Sequence, residues 1–264
     1  MTDLHTHLVP GVDDGARDLA EALLAIGELQ AQGVRAVVCT PHLRSSAAAA
    51  AAASGGYLSR CDTAWEELAA AAADEFPGVS LHRGVELMLD TPSCDLTDPR
   101  LRLGGTGFVL VEFPFLGVPP RAAGALAAIA SAGWTPLLAH PERYHNAQED
   151  LVDAAEWKAA GALLQVSAGS LLGRYGGRAE RLAWALLREG MADVLASDHH
   201  ARGTPHLAAA LAALERAGAG EAARMLATVN PGRILAGEAP LPVPPAGRAP
   251  LLHRWTAALR RLAG

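Results

Sequence analysis

Apolar and polar positions along the chain alternate between two patterns. A short aliphatic run is followed by a longer stretch whose apolar residues recur every three to four positions. The first reads as a strand and the second as an amphipathic helix. The opening residues 1–7 predict a strand, and Asp18–Gln32 predicts a helix with Leu19, Leu23, Ile26 and Leu29 on one face and Gly33 as its stop. Further strands are expected at Val34–Thr40, around Val79–Leu87, and at Gly107–Phe113, Thr135–His140, Ala162–Ala168 and Asp193–Asp198. Helices are expected at Tyr57–Glu75, Arg121–Ala132, Glu149–Ala160, Arg178–Glu189 and Pro205–Ala217, with a short one at Glu221–Ala227. Leu89–Leu103 carries prolines and reads as irregular. Alanine alone would allow a helix in Ser45–Gly56, but the Ser and Gly flanks favour a mobile loop.

Strands and helices in strict alternation predict an α/β fold with a parallel sheet and right-handed crossovers. Seven such units without a linker favour a closed or nearly closed (β/α)7 barrel over an open sheet. With 264 residues, half of them hydrophobic, the chain can bury a core of that size.

Composition narrows the setting. A charged fraction of 19% and a pI near 5.9 leave no global basic surface for nucleic acid. Cys39, Cys61 and Cys94 are odd in number and lack metal-type spacing, which fits a reducing compartment. No signal-peptide pattern opens the chain, and no apolar run approaches the ~18 residues of a membrane span. A cytoplasmic protein is therefore expected. Its end differs in sign from its body: residues 239–264 hold four arginines and no acid, which leaves the rest at −10 out of a net −6. The expected division is a barrel over residues 1–237 and a Pro-rich basic appendage over residues 238–264. As a helix, the appendage would set Leu251, Trp255, Ala258, Leu259 and Leu262 opposite His253, Arg254, Arg260 and Arg261. That composition suits peripheral contact with a membrane surface or an acidic partner tail. Packing on the barrel, or on a neighbouring subunit of an oligomer, would serve the same face.

A parallel barrel carries its chemistry at the C-terminal edge of its strands. There the chain delivers His5 and His7, His42, Glu86, Glu112, His140, and Asp198 with His200, from six of the seven predicted strands. His5 and His7 lie two apart on a strand and so share a face. Pro10, Gly11 and Gly15 mark a turn from which Asp13 and Asp14 would hang as further oxygen ligands. Carboxylates at the ends of buried apolar runs need compensating cations. Mixed imidazole and carboxylate donors suit manganese, iron, zinc or, less readily, magnesium. The donors outnumber the needs of one ion, so two or three divalent ions are expected. Arg143 and Arg202 follow directly after ligand candidates and can grip phosphate oxygens in pairs. Such a site suits phosphate ester hydrolysis, in which the metals acidify a water to hydroxide, hold the phosphate and neutralise the leaving oxygen. A cysteine-based mechanism would need Cys-x5-Arg. Cys94 to Arg100 has that spacing, but Asp95, Asp98 and the N–H-less Pro99 oppose a phosphate cradle.

These residues resemble the polymerase and histidinol phosphatase (PHP) superfamily, and within it the manganese-dependent tyrosine phosphatases of bacterial capsule and exopolysaccharide synthesis. The matching stretches run in order from Asp3-Leu-His-Thr-His7 through Val12-Asp-Asp-Gly15, Thr40-Pro-His42, Gly84-Val-Glu86 and Val111-Glu-Phe-Pro114. They continue with Ala139-His-Pro-Glu-Arg143, Gln165-Val-Ser167, Leu195-Ala-Ser-Asp-His-His200 and Asn230-Pro-Gly-Arg-Ile-Leu235. The resemblance implies a distorted TIM-like barrel in which His5, His7, Glu86 and Asp198 hold one metal. It implies a second metal on Glu86, Glu112 and His140, and a third on Asp14, His42 and His200. It makes Arg143 and Arg202, with Asp14, the catalytic and phosphate-binding set, and manganese the first metal to expect. The implied substrate is phosphotyrosine on the tail of an autophosphorylating tyrosine kinase that controls polysaccharide export. A histidinol-phosphatase-type enzyme for small phosphomonoesters shares the metal set, and a non-catalytic, metal-stabilised PHP module is a further alternative. Departures from the pattern are Leu43, where many members have a second His, and the alanine run at Ala47–Ala53 in place of a more polar segment.

Overall fold

A computed structural model describes residues 1–52, 56–91 and 94–246. Among the described residues there are nine short strands: β1 (Thr2–Thr6), β2 (Ala36–Cys39), β3 (His42–Arg44), β4 (Ser80–Arg83), β5 (Glu86–Met88), β6 (Phe108–Glu112), β7 (Thr135–Ala139), β8 (Leu163–Ser167) and β9 (Val194–Ala196). Every pairing between them is parallel. They form a three-stranded sheet, β1-β2-β4, and a six-stranded sheet, β3-β5-β6-β7-β8-β9. Parallel pairing throughout is what the alternation of strands and helices predicts.

Nine strands rather than seven is a correction with a local cause. The second expected strand ends at Thr40, but beyond Pro41 the chain pairs again as β3, and the third breaks at Gly84-Val85 into β4 and β5, so each stretch feeds one sheet and then the other. Proline donates no ladder hydrogen bond and glycine weakens a strand interior. The breaks are bridged all the same, with Gly84 N donating to Cys39 O at 3.0 Å and Glu86 N to Pro41 O at 3.1 Å. The ring closes between β9 and β1 at the rim, where Asp198 N donates to His5 O at 3.0 Å and His7 N to His199 O at 2.9 Å.

Alternation along β6 assigns Phe108 and Leu110 to a small cluster with Val38, Leu137 and Val194. Val109 and Val111 instead join the large cluster against the helices. Glu112 continues the phase of Phe108 and Leu110 and so ends the strand on the face of the small cluster. Similarly, Leu164 and Val166 face the large cluster, which leaves Gln165 and Ser167 on the other side of β8.

The helices match the apolar periodicity. Leu19–Ala31 is capped by Asp18, whose carboxylate accepts from Glu21 N at 2.9 Å. Others span Tyr57–Glu75, Ala122–Ser131, Gly177–Arg188 and Leu207–Arg216. The helix expected from Glu149 starts only at Val152, because Leu151 takes a left-handed φ of 68°. Gly220–Arg224 runs into a π-helical turn at Met225–Val229. The alanine run is helical at Ala48–Ala52 after a 3₁₀ turn at Ser45–Ala47, so alanine propensity outweighs the flanks; residues 53–55 lie outside the described part. Asp90 anchors this segment, accepting from Ser45 Oγ and Ser46 N at 2.8 Å each.

The first part of the Pro-rich stretch lies along the barrel. Asn230 exchanges hydrogen bonds with the Leu241 backbone at 2.8 and 2.9 Å, and Ala246 N donates to Leu187 O at 2.9 Å. The expected amphipathic helix at residues 251–262 lies outside the described residues. Among the described residues, no helix is long and apolar enough to cross a membrane.

Candidate metal centre

The rim collects every residue expected to bind metal. His5 and His7 leave β1 with their Nε2 atoms 3.1 Å apart. Glu86, the first residue of β5, lies between them and the next strands. Its Oε2 is 3.1 Å from His5 Nε2, 3.3 Å from His7 Nε2 and 3.1 Å from His42 Nδ1, and its Oε1 is 2.9 Å from His140 Nε2. Asp198 Oδ1 is 3.2 Å from His5 Nε2 and 3.5 Å from His7 Nε2. Glu112 reaches His42 Nδ1 at 3.3 Å and His140 Nε2 at 3.8 Å. On the solvent side, Asp14 Oδ1 is 3.6 Å from His42 Nε2 and 3.5 Å from His200 Nε2. The His7 and His200 rings stack at 4.0 Å.

Donor atoms within 4.8 Å of one another define three overlapping groups: His5, His7, Glu86 and Asp198; His7, Asp14, His42 and His200; and His42, Glu86 and Glu112. His42 belongs to two of them, offering Nδ1 on one side and Nε2 on the other. His140 adjoins the third group through Glu86.

Outer contacts decide which ring nitrogens face the cluster. His5 Nδ1 meets Gln165 Oε1 at 2.8 Å, and His7 Nδ1 meets Asp13 Oδ2 at 2.8 Å. An amide or carboxylate oxygen accepts from Nδ1–H, which leaves each Nε2 lone pair turned inward. Asp13 is thus not the oxygen ligand expected from the turn: it holds His7 from behind and also accepts from His42 N at 3.2 Å. The role of Gln165 is absent from the sequence reading. A polar residue within the buried run Leu163-Leu-Gln-Val-Ser167, in phase with the inner face, was its signal.

The donor set fits divalent ions. Two inward Nε2 lone pairs face two buried carboxylates, and Glu86 Oε2 and Glu112 Oε1 are buried without a hydrogen bond of good geometry. Such a set is stable only around positive charge. Protonation responds to the same demand. Burial opposes the charge on His5, yet Glu86 and Asp198 raise its pKa to about 9. Burial likewise opposes ionisation of Glu86, but His5 and His140 hold it well below the carboxylate range. Mixed imidazole and carboxylate donors suit first-row divalent metals.

The backbone is shaped for this convergence. His140 and Asp198 occupy left-handed conformations, with φ of 37° and 54°, which non-glycine residues adopt at a cost where the surroundings compel them. Gly15 turns the chain back onto His7. A Cβ at that position would lie 2.0 Å from His7 O and 2.5 Å from His7 Cβ.

The two arginines differ. Arg143 forms an ion pair with Asp198 Oδ2 and rests on the Tyr175 ring, its guanidinium carbon 4.2 Å from the centroid. Burial works against its charge, and Asp198 more than restores it. Arg202 is exposed and donates to the Asp14 carbonyl at 2.8 Å, bracing the turn. The Cys94–Arg100 spacing forms no phosphate cradle. Arg100 is held by Asp98 at 2.6 Å and Asp62 at 2.8 Å, while burial, Asp95 and Asp90 push the Cys94 thiol up.

Parallel strands closing on a rim of imidazoles and carboxylates define a PHP-type barrel with clustered donor groups that could hold metal ions. The family described as "Capsular polysaccharide synthesis, CpsB/CapC" matches residues 1–236, and the chain belongs to it. It is 29% identical over 206 residues to the tyrosine-protein phosphatase YwqE of Bacillus subtilis (strain 168), covering 76% of this chain and 77% of the relative. It is 28% identical over 210 residues to the tyrosine-protein phosphatase CpsB of Streptococcus agalactiae serotype III (strain NEM316), covering 76% and 83%. A solved structure from work on "YwqE from Bacillus subtilis and CpsB from Streptococcus pneumoniae, unique metal-dependent tyrosine phosphatases" superposes with a TM-score of 0.79 at 27% identity, over 94% of this chain and all of the other.

Proposed function

We propose that this chain is a metal-dependent protein-tyrosine phosphatase of capsular polysaccharide synthesis, hydrolysing a phosphotyrosine ester to tyrosine and inorganic phosphate. Three overlapping donor groups, two sharing Glu86 and the third joined to them through His7 and His42, carry the reading. His5, His7, Glu86 and Asp198 would hold one ion, Glu86, Glu112 and His140 a second, and Asp14, His42 and His200 a third. His42 has a nitrogen within reach of the second as well. When bound, divalent ions supply Lewis acidity that acidifies water and offsets phosphoryl charge. Manganese is the ion we expect.

The chain's own residues do the rest. Gln165 and Asp13 fix the His5 and His7 tautomers from behind. Arg143, its guanidinium supported by Tyr175, presents a planar fork to phosphate oxygens. Arg202 serves as a second phosphate contact at the Asp14 turn, and Asp14 offers an exposed carboxylate beside it. A phenolate leaves without a strong general acid, so no protonated side chain is needed at the leaving oxygen. We take the tail of a tyrosine autokinase as the partner and the cytoplasm as the setting; three free cysteines support the latter.

Metal analysis coupled to a phosphotyrosine-peptide assay, with and without chelator, tests the reading. Two to three metal equivalents and activity that vanishes on chelation and returns with manganese are expected. Activity on small aliphatic phosphomonoesters with none on the peptide would overturn it in favour of a histidinol-phosphatase type.

A further inference from the structure

Beyond Glu112, the chain leaves β6 in a loop that carries an aromatic side chain away from the core. Phe115 is 81% exposed, the most exposed of the large hydrophobic side chains among the described residues. Phe115 and Leu116 are consecutive non-glycine residues with left-handed φ of 54° and 52°. Such a pair is disfavoured for L-residues and persists only where neighbours enforce it. Here they do. Leu116 O accepts from His145 N at 2.9 Å and from His145 Nδ1 at 2.7 Å. Val118 exchanges hydrogen bonds with Asn146 at 2.7 and 3.0 Å. Both partners follow Arg143 on the loop after β7. The ends of two site strands are therefore stitched together, and the seam holds an aromatic ring out in water.

We propose that Phe115 is a specificity-determining residue: an apolar anchor for the polypeptide that bears the phosphotyrosine, deepening the function proposed above and resting on it. Two observations and the shape of the substrate converge on this occupant. Phe115 stands three residues from Glu112, within roughly 10 Å of chain from the donor cluster, so it borders the mouth. Tyr175, another exposed large hydrophobic, backs Arg143 at the same rim, so aromatic surface marks the entrance at two points. An ester deep among the donors leaves the rest of its polypeptide at the rim, where a fixed aromatic ring loses little freedom on contact. A small phosphomonoester has no atoms to reach it.

The test compares kcat/KM for a phosphotyrosine peptide with that for p-nitrophenyl phosphate in wild type, Phe115→Ala and Phe115→Trp. Phe115→Ala should lower the peptide-to-small-ester ratio roughly tenfold, mainly through KM, with metal content unchanged. Phe115→Trp should restore it. Equal loss on both substrates would make Phe115 a structural support of the rim, and an unchanged ratio would exclude peptide contact; either overturns the proposal. A fall in oligomer size with an unchanged ratio assigns the ring to a second copy of the chain and also overturns it. Failure of the function itself shows separately, as a metal-loaded wild type that hydrolyses the small ester but not the peptide.

Discussion

Replacing Gly15 by alanine puts one methyl group where the first turn lies on β1. The added carbon would sit 2.0 Å from His7 O, against an ordinary non-bonded separation of about 3.5 Å, so relief needs movement of more than about 1 Å. His7 O cannot yield freely, because it accepts from Ala16 N at 2.9 Å. The turn cannot yield without moving Asp13, whose carboxylate accepts from Gly15 N at 3.0 Å and holds His7 Nδ1 at 2.8 Å. Either motion shifts His7, which belongs to two of the three donor groups. Overpacking of this kind costs about 1–3 kcal/mol, a fraction of the ~5–15 kcal/mol of a typical protein, so the variant should still fold. The melting temperature should fall by about 2–4 °C for each kcal/mol. Displacing a reactive group by about 1 Å costs on the order of 10²-fold in rate. Metal stoichiometry, kcat/KM on a phosphotyrosine peptide and a circular dichroism melt together read these effects. A Gly15→Ala protein with wild-type metal content and wild-type rate would refute the reasoning that this close approach sets His7.

Glu86→Gln should lose metal and activity together, since a neutral amide cannot replace the carboxylate that meets four imidazoles; full stoichiometry and rate would remove Glu86 from the centre. Arg143→Ala should keep its metals while kcat/KM falls on the order of 10²-fold for a lost phosphoryl clamp, whereas loss of metal as well would make Arg143 a support for Asp198. A Cys39→Ser, Cys61→Ser, Cys94→Ser protein should stay active as long as it folds, and inactivity of a folded, metal-loaded form would reopen thiol chemistry. The chelated protein should lose stability as pH rises from about 6.5 to 9. Its folded His5 has a pKa raised to about 9 from 6.5, so that contribution is full below the unfolded value and lost on passing the folded one. Glu86 and Asp198, held low, act the other way: their contribution is present at neutral pH and lost in acid. Metal-loaded protein should resist the alkaline loss, and a chelated melting temperature flat from pH 6.5 to 9.5 would contradict the cluster's demand for positive charge.

Residues whose role depends on strand phase were legible in the chain itself. His5 and His7 share a face by two-residue spacing, and Glu112 ends a run whose alternate members turn inward. Residues whose role depends on turn geometry were not. Asp13 and Asp14 are chemically equal neighbours, and only the fold-back of Gly15 onto His7 turns one behind the imidazole and the other toward His42. Gln165 faces His5 across 160 positions of sequence, a contact no local pattern carries. Pro41 marked the end of one expected strand, but nothing local showed that His42–Arg44 pairs again beyond it, and Gly84 lay in plain view within a run that read as one strand. Which half joins which sheet depends on neighbours far along the chain. The alanine run shows the reverse case: a purely local preference prevailed where flanking residues argued otherwise.

Closure of the ring joins the first strand to the last. Asp3 accepts from Ser197 N at 3.0 Å, a pairing across 194 positions, and His5 O and His7 N find their partners at Asp198 and His199. During synthesis at about 5–20 residues per second, the opening strand would wait roughly 10–40 s for those partners to be made. Through that interval His5 and His7 are present beside Asp13 and Asp14 without Asp198, the last carboxylate of their group to be made. An ion captured then would be held by a fraction of its final ligands. Completion of that group is therefore tied to the synthesis of residue 198, and a chain stalled before it would lack one of the group's two carboxylates.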